Sequence, residues 1–258
     1  MMHAHITCFI FVCVLVLVFT LKVPVNIPVT ATYCPKILKN KYYGLRHGQS
    51  ESNVMGIISS SPLIGIPGHG LTKLGINQAR KSATCLLDKI GRDNLNSVQY
   101  ISSPFLRAKQ TAEESIDAIN NILSFESTEE EYKEYKFKED MLIDEAIQER
   151  WFGTLDGEPL PEYNKVWPVD MENADNSDFN VESINQVISR VSKLIQNCEE
   201  NNEGKSFVLC SHADTLQITQ LYLCWTTQQP CDPRQFSSYR FKNGEVRQML
   251  ELPPPSPL

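Results

Sequence analysis

The chain has 258 residues, 41% of them hydrophobic, and a formal net charge of -7. This length suits a single α/β domain with a sizeable core. The acidic balance argues against a general nucleic-acid binder, because such proteins neutralise phosphates along a backbone with a basic surface. An anionic ligand would therefore need a local cluster of cations.

An apolar segment precedes the expected domain. From Ile6 to Leu21 all but two residues are apolar, a pattern typical of a signal-peptide core or a short signal anchor. We expect residues 1–34 to form this segment and a linker, residues 35–252 to form the domain, and residues 253–258 to form a Pro-rich tail.

The segment has two interpretations. Met1 to His5 contain no Lys or Arg, whereas four lysines follow the apolar run between positions 22 and 41. The positive-inside tendency therefore favours a retained anchor, with the domain held at the membrane through residues 6–21. Val29 and Ala31 would instead be the small residues before a cleavage site, which would place the domain in the secretory pathway. We expect the retained anchor.

Short apolar runs predict four strands, with helices between them. The strands are expected at about Lys41–Leu45, Val98–Ile101, Leu142–Ile147 and Phe207–Cys210. Apolar residues at helical spacing predict helices from Thr72 to Gly91, after Pro104, from Val181 to about Cys198 and from Leu216 to Cys224. Asn243-Gly244 between two strand-like runs predicts an antiparallel edge hairpin. The alternation predicts a three-layer α/β/α sandwich with a mostly parallel sheet.

Three longer stretches connect these elements. Gly56 to Gly70 is rich in Ser, Gly and Pro, which predicts an irregular loop that frames a pocket. Glu129 to Asp140 is charged and is expected to be a solvated excursion. Residues 158–180 are acidic and carry three aromatic residues. We expect them to form a surface insertion that packs these aromatics on the core, with a lid over the site as the alternative.

Chemically active side chains follow the predicted strands. Arg46 and His47 come after the first strand, Arg107 after the second, Glu149 after the third and His212 after the fourth. Open α/β sheets bind ligands at the carboxyl ends of their strands. We therefore expect these five side chains to converge on one site.

The five residues suit the hydrolysis of a phosphomonoester. Arg46 and Arg107 can bind the phosphate oxygens, and His212 can donate to them in the transition state. His47 can attack phosphorus as a neutral imidazole and form a phosphohistidine. Glu149 can protonate the leaving oxygen and then activate water, provided that desolvation raises the pKa of its carboxyl group.

A set of motifs in fixed order sharpens this hypothesis. They are Leu45-Arg46-His47-Gly48-Gln49-Ser50 with Asn53, Leu71-Thr72 with Gly75 and Gln78-Ala79, Ser102-Ser103-Pro104 with Arg107-Ala108 and Gln110-Thr111-Ala112, Glu149-Arg150-Trp151-Phe152-Gly153, and Ser211-His212. Together they resemble the histidine phosphatase superfamily, the phosphoglycerate mutase-like group, from about Lys41 to Phe241.

The resemblance implies a fold, a reaction and a set of roles. It implies a phosphoglycerate mutase-like fold and a small phosphorylated substrate, with neither a metal nor a cofactor. It implies a nucleophilic His47, a phosphate pocket of Arg46, Arg107 and His212, and a proton donor at Glu149. Asn53 matches a polar position of the first motif and is expected to contact the phosphate.

The chain departs from the family pattern at three places. Ala213 replaces the usual glycine after the second histidine, and Tyr43-Gly44 replace branched apolar residues of the first strand. The loop from Ser59 to Gly70 is longer than in the shortest members. It carries His69, either an ordinary loop histidine or a substrate-binding residue that reaches the leaving group.

Two alternatives to a phosphatase remain. A phosphoglycerate mutase would share the core residues, but residues 158–180 contain no arginine and many acids. We favour hydrolysis, because an acidic lid would suit a bis-anionic sugar phosphate poorly. A non-catalytic module that binds a phosphorylated ligand is the other alternative, although His47 and Glu149 are both present.

Overall fold

The computed structural model describes residues 33, 35–126, 128, 141–227 and 239–250. The strands in these ranges are β1 (Lys41–Arg46), β2 (Val98–Ser102), β3 (Leu142–Ile143), β4 (Ser206–Ser211) and β5 (Val246–Gln248). The α-helices are α1 (Glu51–Met55), α2 (Pro62–Gly65), α3 (Lys73–Ile90), α4 (Leu106–Glu126), α5 (Trp167–Asp170), α6 (Ile184–Asn201) and α7 (Ala213–Thr226). Short 3-10 turns lie at Arg92–Ser97, Glu145–Ile147, Gly153–Leu155, Leu160–Lys165 and Asp178–Asn180.

The strands form one sheet in the order β3-β2-β4-β1-β5. The first four strands of this order are parallel, and β5 pairs antiparallel with β1. In the register of the central pair, Arg46 lies beside Ser211. The parallel strands therefore end at one edge of the sheet, where ligands bind in open α/β folds.

Helices cover both faces of the sheet. On one face, Tyr42 and Phe207 pack with the apolar side of α6 and with α7. On the other, Tyr43 and Val208 pack with α3 and α4. Consecutive strand residues belong to opposite cores because side chains alternate across a strand. The three-layer α/β/α sandwich with a mostly parallel sheet is thus confirmed.

Three local predictions are wrong. The third strand was expected to run to Ile147, but it ends at Ile143, because the Asp144 side chain accepts a hydrogen bond from Ala146 N (2.7 Å) and caps a 3-10 turn. The loop expected from Gly56 to Gly70 contains α2, whose proline occupies the first helical turn, where no N–H is needed.

The third correction concerns the hairpin at Asn243-Gly244. Residues 239–242 form no strand, so the described residues contain no hairpin at this turn. The antiparallel edge pair is confirmed, because β5 lies at the edge of the sheet and pairs antiparallel with β1. The turn packs on the end of β1, where Gly244 N donates to Arg46 O (3.1 Å) and the Asn243 side chain donates to His47 O (3.1 Å). The turn therefore supports the end of β1 that carries the candidate site.

Several predictions fall outside the described residues. They concern the apolar segment 6–21, the solvated excursion 129–140 and the tail 253–258. Among the helices of the described ranges, none combines the length and apolar character that a membrane span needs. The domain limits stay a prediction.

Candidate active site

The ends of β1, β2 and β4 place three side chains together. His47 follows β1, Ser103 follows β2 and His212 follows β4. The backbone hydrogen bonds of the sheet continue past the strand ends, since His47 N donates to Ser211 O (3.0 Å) and Ser103 N donates to Cys210 O (2.9 Å). The two histidine rings consequently lie in contact, with their centroids 5.2 Å apart.

The hydrogen bonds of His47 determine where its proton lies. Nδ1 lies 2.7 Å from Gly48 O, and Nε2 accepts from Arg107 Nε at 3.2 Å. A carbonyl oxygen has no proton to give and a guanidinium only donates, so the proton is on Nδ1 and Nε2 carries a lone pair. Burial, followed by the charges of Arg107 and Arg46, lowers the pKa of His47 well below its ordinary value. The imidazole is therefore neutral and nucleophilic at Nε2.

A close approach of two glycine-containing segments fixes the backbone behind His47. Gly48 and Gly75 are so close that a Cβ on Gly75 would lie 2.1 Å from Gln49 O. Gly48 N also donates to Thr111 Oγ1 (3.0 Å), which in turn donates to Arg107 O (2.7 Å). The start of α3 and the first turns of α4 thus brace the segment that carries the imidazole.

Arg107 is buried beneath the cavity. Its Nη2 donates to Ser59 O (2.9 Å) and lies 4.0 Å from Glu149 Oε2. Its Nη1 is buried and has no hydrogen-bond partner among the described residues. A guanidinium with one free donor beside a histidine lone pair can bind an anion at that point.

Arg46 and Asn53 reach the cavity from β1 and α1. Arg46 Nη1 donates to Phe241 O (2.8 Å), while its Nε has no partner among the described residues. Burial and the nearby charge of Arg240 lower the pKa of Arg46 to about 10, so it remains a cation at neutral pH. Asn53 Oδ1 accepts from Ser50 N (3.1 Å) and from Asn243 Nδ2 (3.1 Å), which leaves the amide NH2 as the donor toward a ligand.

Glu149 is positioned by the residues that flank His212. Ser211 Oγ donates to Ile147 O (2.6 Å), and Thr215 Oγ1 donates to Gln148 O (2.7 Å). These two bonds hold the backbone just before Glu149 against β4 and α7. The carboxylate accepts from Arg150 N (3.0 Å) through one oxygen, and the other oxygen lies 3.7 Å from His212 Nδ1.

The environment of Glu149 favours its protonated form. Burial and then the charge of Asp214 raise the pKa of Glu149 to about 7, against the opposing charge of Arg107. A carboxylic acid with this pKa is about half protonated near neutral pH and can release its proton to a neighbouring oxygen.

His212 lies deeper than the other candidates. Its ring is fully buried against Phe105, and its Nε2 lies 2.8 Å from Ser103 Oγ. Burial, followed by the charges of Arg107, His47 and Arg46, lowers the pKa of His212 well below its ordinary value. Its Nδ1 has no hydrogen-bond partner among the described residues, so this atom is the one able to serve a ligand.

A small polar cavity of about 70 Å³ opens above these residues. Five of the seven residues predicted from the sequence line it, namely Arg46, His47, Asn53, Arg107 and Glu149. His212 is not among the lining residues, but its ring contacts the His47 ring. His69 does not line the cavity, but it contacts Ser59 (Nδ1 to Oγ, 2.8 Å), whose carbonyl oxygen accepts from Arg107.

Several residues of the cavity wall were not predicted from the sequence, among them Ser59, Tyr163, Asp214 and Arg240. Asp214 follows Ser211-His212 closely, so its position beside a candidate histidine was the available signal. Arg240 stands three residues before the Asn243-Gly244 turn, and nothing in its local pattern indicates that it returns to the site. Within the described ranges, no group of three or more His, Cys, Asp or Glu is arranged to hold a metal ion.

Residues 158–180 pack on the domain and also contribute to the cavity wall. The Tyr163 ring stacks on Trp167 (centroids 4.5 Å apart) and meets Phe152 edge-on (4.7 Å). This packing of Tyr163 and Trp167 is what the surface-insertion interpretation expects, whereas Phe179, the third aromatic residue, is exposed. Leu160 and Tyr163 face the cavity, so the same segment borders the site.

Solved structures of similar fold come from several sources. A mycobacterial glucosyl-3-phosphoglycerate phosphatase, solved with VO3, is 18% identical over 81% of this chain and 91% of its own, with a TM-score of 0.58. A mutant phosphoserine phosphatase from Entamoeba histolytica, solved with phosphoserine, is 22% identical over 80% and 88%, with a TM-score of 0.55. At these identities the likeness shows the fold.

Family membership follows from the sequence itself. A comparison with curated proteins finds no match. Residues 43–249 match the family model described as the histidine phosphatase superfamily (branch 1), which covers most of the chain and every candidate site residue. The chain belongs to the histidine phosphatase superfamily.

Proposed function

We propose that this protein hydrolyses small phosphomonoesters through a phosphohistidine on His47. The observation that carries the proposal is the fixed tautomer of His47. Its proton is held on Nδ1 by Gly48 O, and its Nε2 lone pair lies beside the buried guanidinium of Arg107. A nucleophile and an anion-binding group are thereby combined at one point, as in-line phosphoryl transfer requires.

The other side chains supply the remaining parts of the reaction. Arg107 Nη1, Arg46 Nε and the Asn53 amide bind the oxygens of the phosphoryl group, because each offers a donor that no described residue accepts from. His212 Nδ1 donates to the same group as negative charge builds up. Several preorganised donors around one phosphoryl group account for its binding without a metal ion.

Glu149 acts on both halves of the reaction. In the first half, the protonated carboxyl group gives its proton to the leaving oxygen while the His47 Nε2–phosphorus bond forms. In the second half, the carboxylate takes a proton from water, which attacks phosphorus and releases His47 and inorganic phosphate. The raised pKa of Glu149, about 7, suits both roles.

The positions of the acidic side chains in residues 158–180 bear on the choice between hydrolysis and mutase activity. None of these acids is among the residues that line the described cavity. Repulsion between an acidic lid and a bis-anionic sugar phosphate is therefore no longer a reason to prefer hydrolysis over mutase activity. Hydrolysis is supported instead by the structural neighbours, which are named as phosphatases. Mutase activity would appear as interconversion of phosphoglycerates with little release of phosphate.

The location of the protein belongs to the same proposal. We place the domain at a membrane through the apolar residues 6–21, with secretion as the alternative. Cell fractionation with protease protection separates the two: a protein that remains with membranes after a carbonate wash supports the anchor, and a soluble lumenal or secreted form contradicts it.

A phosphatase assay tests the proposed activity. The purified full-length chain is expected to release phosphate from an aryl phosphate without added metal and equally well in the presence of a chelator. His47→Ala is expected to abolish the release while keeping the far-UV circular dichroism spectrum of the wild type. Wild-type activity no higher than that of His47→Ala, or activity lost with chelator and restored by a divalent ion, would contradict the proposal.

A further inference from the structure

Arg240 brings a third guanidinium to the cavity. It lines the cavity together with Arg46 and Arg107, and its guanidinium carbon lies 4.6 Å from the centre of the Trp167 ring. Unlike Arg107, it is exposed. No carboxylate of the described residues forms an ion pair with it. A cation at the mouth of the cavity is thus available to a ligand.

The backbone on each side of Arg240 is fixed. Phe241 O accepts from Arg46 Nη1 (2.8 Å), and Tyr239 O accepts from Arg247 Nη2 (2.7 Å). The side chains of Tyr239 and Phe241 are both buried. Because its neighbours are anchored in this way, Arg240 is directed to the cavity by the fold and not by a freely moving loop end, so little entropy is lost when it binds an anion.

Neither acid of the described cavity wall forms an ion pair with Arg240. A phosphomonoester dianion balances Arg46 and Arg107. Of the two acids in the wall, Glu149 holds a proton up to about pH 7, since that is the value to which its pKa is raised. The other, Asp214, accepts from Trp167 Nε1 (3.0 Å) and lies 3.8 Å from Arg150. Both acids are thus held by other partners, and Arg240 stays available to an anionic group of the ligand beyond the phosphate.

The acidic segment does not cancel this charge at close range. Glu162 pairs with Lys165, and Asp170 is buried against Arg150. The parts of the segment that face the cavity are Leu160 and Tyr163, which carry no formal charge at neutral pH. The segment that is acidic by composition thus contributes only an aliphatic and an aromatic side chain to the described cavity wall.

We infer that Arg240 binds a second anionic group of the substrate, a carboxylate or a second phosphate, held near the phosphoester. The inference rests on the proposed function and names its substrate class: small phosphomonoesters with a second negative charge. Trp167 supports the guanidinium from one side, which orients its planar donors for two-point binding of an oxyanion. Arg240 is accordingly a specificity residue.

Matched substrate pairs test this inference. Glycerol 1-phosphate and 3-phosphoglycerate differ by a hydroxymethyl group against a carboxylate, and fructose 1-phosphate and fructose 1,6-bisphosphate differ by the second phosphate. In at least one pair, the wild type is expected to prefer the doubly anionic member by at least about 10-fold in kcat/KM, as one charge-assisted contact would give. The first pair reports a carboxylate and the second a phosphate.

Three variants assign the preference to Arg240. Arg240→Gln is expected to reduce the ratio within the preferred pair to near 1, mainly through KM, and Arg240→Lys is expected to restore part of it. Lys242→Gln removes the same charge from the same segment, outside the cavity wall, and should keep the wild-type ratio. A wild-type ratio near 1 in both pairs, or a ratio unchanged in Arg240→Gln, would overturn the inference.

A binding measurement separates this inference from the proposed function. Titration calorimetry of the same pairs against His47→Ala needs no turnover and is expected to show the same preference, lost in the His47→Ala, Arg240→Gln double variant. If no phosphate is released but the binding preference is intact, only the proposed hydrolysis is contradicted. If phosphate is released from both members of each pair without preference, only the role of Arg240 in binding a second anionic group is contradicted.

Discussion

Arg150 and Asp170 form a two-point ion pair in which both side chains are fully buried. Arg150 Nη1 and Nη2 donate to the two carboxylate oxygens at 2.6 and 2.9 Å, and Arg150 Nε donates to Glu182 O at 2.6 Å. Because Arg150 follows Glu149 directly, this pair connects residues 158–180 to the backbone that carries the proposed proton donor.

Asp170→Ala tests the importance of this pair for stability. It leaves the buried guanidinium without its main partner, so we expect the free energy of unfolding to fall by about 3–5 kcal/mol in denaturant titrations. Glu162→Ala is the matched control, since it removes an exposed ion pair of the same segment and should change stability by less than about 1 kcal/mol. Equal effects of the two variants would show that the buried Arg150–Asp170 pair stabilises the fold no more than an exposed pair.

The pH dependence of turnover tests the proton donor. Glu149 must be protonated to serve an alkyl leaving group, so kcat for glycerol 1-phosphate is expected to fall as the pH rises above about 7, where Glu149 loses its proton. Glu149→Gln should reduce kcat for this ester by about 100-fold or more. It should affect an aryl phosphate less, because a phenolate needs less protonation. Equal losses for both esters would argue against the assigned role.

Asp214→Asn tests the cause of the raised pKa. The negative charge of Asp214 contributes to the raised pKa of Glu149, second only to burial. Its removal should move the alkaline limb of the kcat profile to lower pH, by about 0.5–1 unit. Asparagine keeps an oxygen for Trp167 Nε1, so the fold should survive, which thermal unfolding would check. An unmoved limb would show that burial alone sets the pKa.

Gly75→Ala tests the packing behind His47. The new Cβ would lie 2.1 Å from Gln49 O, so the segment that follows His47 must shift. A displacement of the nucleophile by about 1 Å costs on the order of 100-fold in rate, and we expect a loss of that size in kcat for an aryl phosphate. Asn77→Ala, on the same helix and outside the cavity wall, should stay within about twofold of the wild type.

The sequence predicted the parts of the site that follow strands. Arg46, His47 and His212 come directly after apolar runs, and the parallel sheet brings those ends together, as the motif order indicated. Glu149 was assigned to the same site although its strand is only two residues long. Its position depends instead on the Ser211 and Thr215 side chains, which hold the preceding backbone.

The other parts of the candidate site depend on contacts between distant segments, which local sequence patterns do not reveal. Arg240 reaches the cavity because Arg46 and Arg247 bind the carbonyl groups on either side of it. The acidic composition of residues 158–180 was a poor guide, since Asp170 is engaged in a buried ion pair and Leu160 and Tyr163 face the cavity. Composition indicated the net charge of the segment but not which of its side chains face the cavity.

Gly44 in the first strand is another residue whose packing role the sequence pattern does not reveal. In the sequence it appears as a weak residue in place of a branched one. In the structure, a Cβ at this position would lie 2.8 Å from both Met249 Cε and Phe241 Cζ. The glycine is therefore needed for the packing of Phe241, whose carbonyl group accepts the hydrogen bond from Arg46.

Detection of the phosphoenzyme tests most directly whether His47 is the nucleophile. The full-length chain is mixed with a ³²P-labelled phosphomonoester, quenched within milliseconds and analysed for protein-bound label. We predict label that is lost in acid and retained in base, as expected of a phosphohistidine, and that is absent from His47→Ala. Label that survives the His47→Ala substitution, or hydrolysis by the wild type with no labelled protein at any quench time, would rule out His47 as the covalent nucleophile.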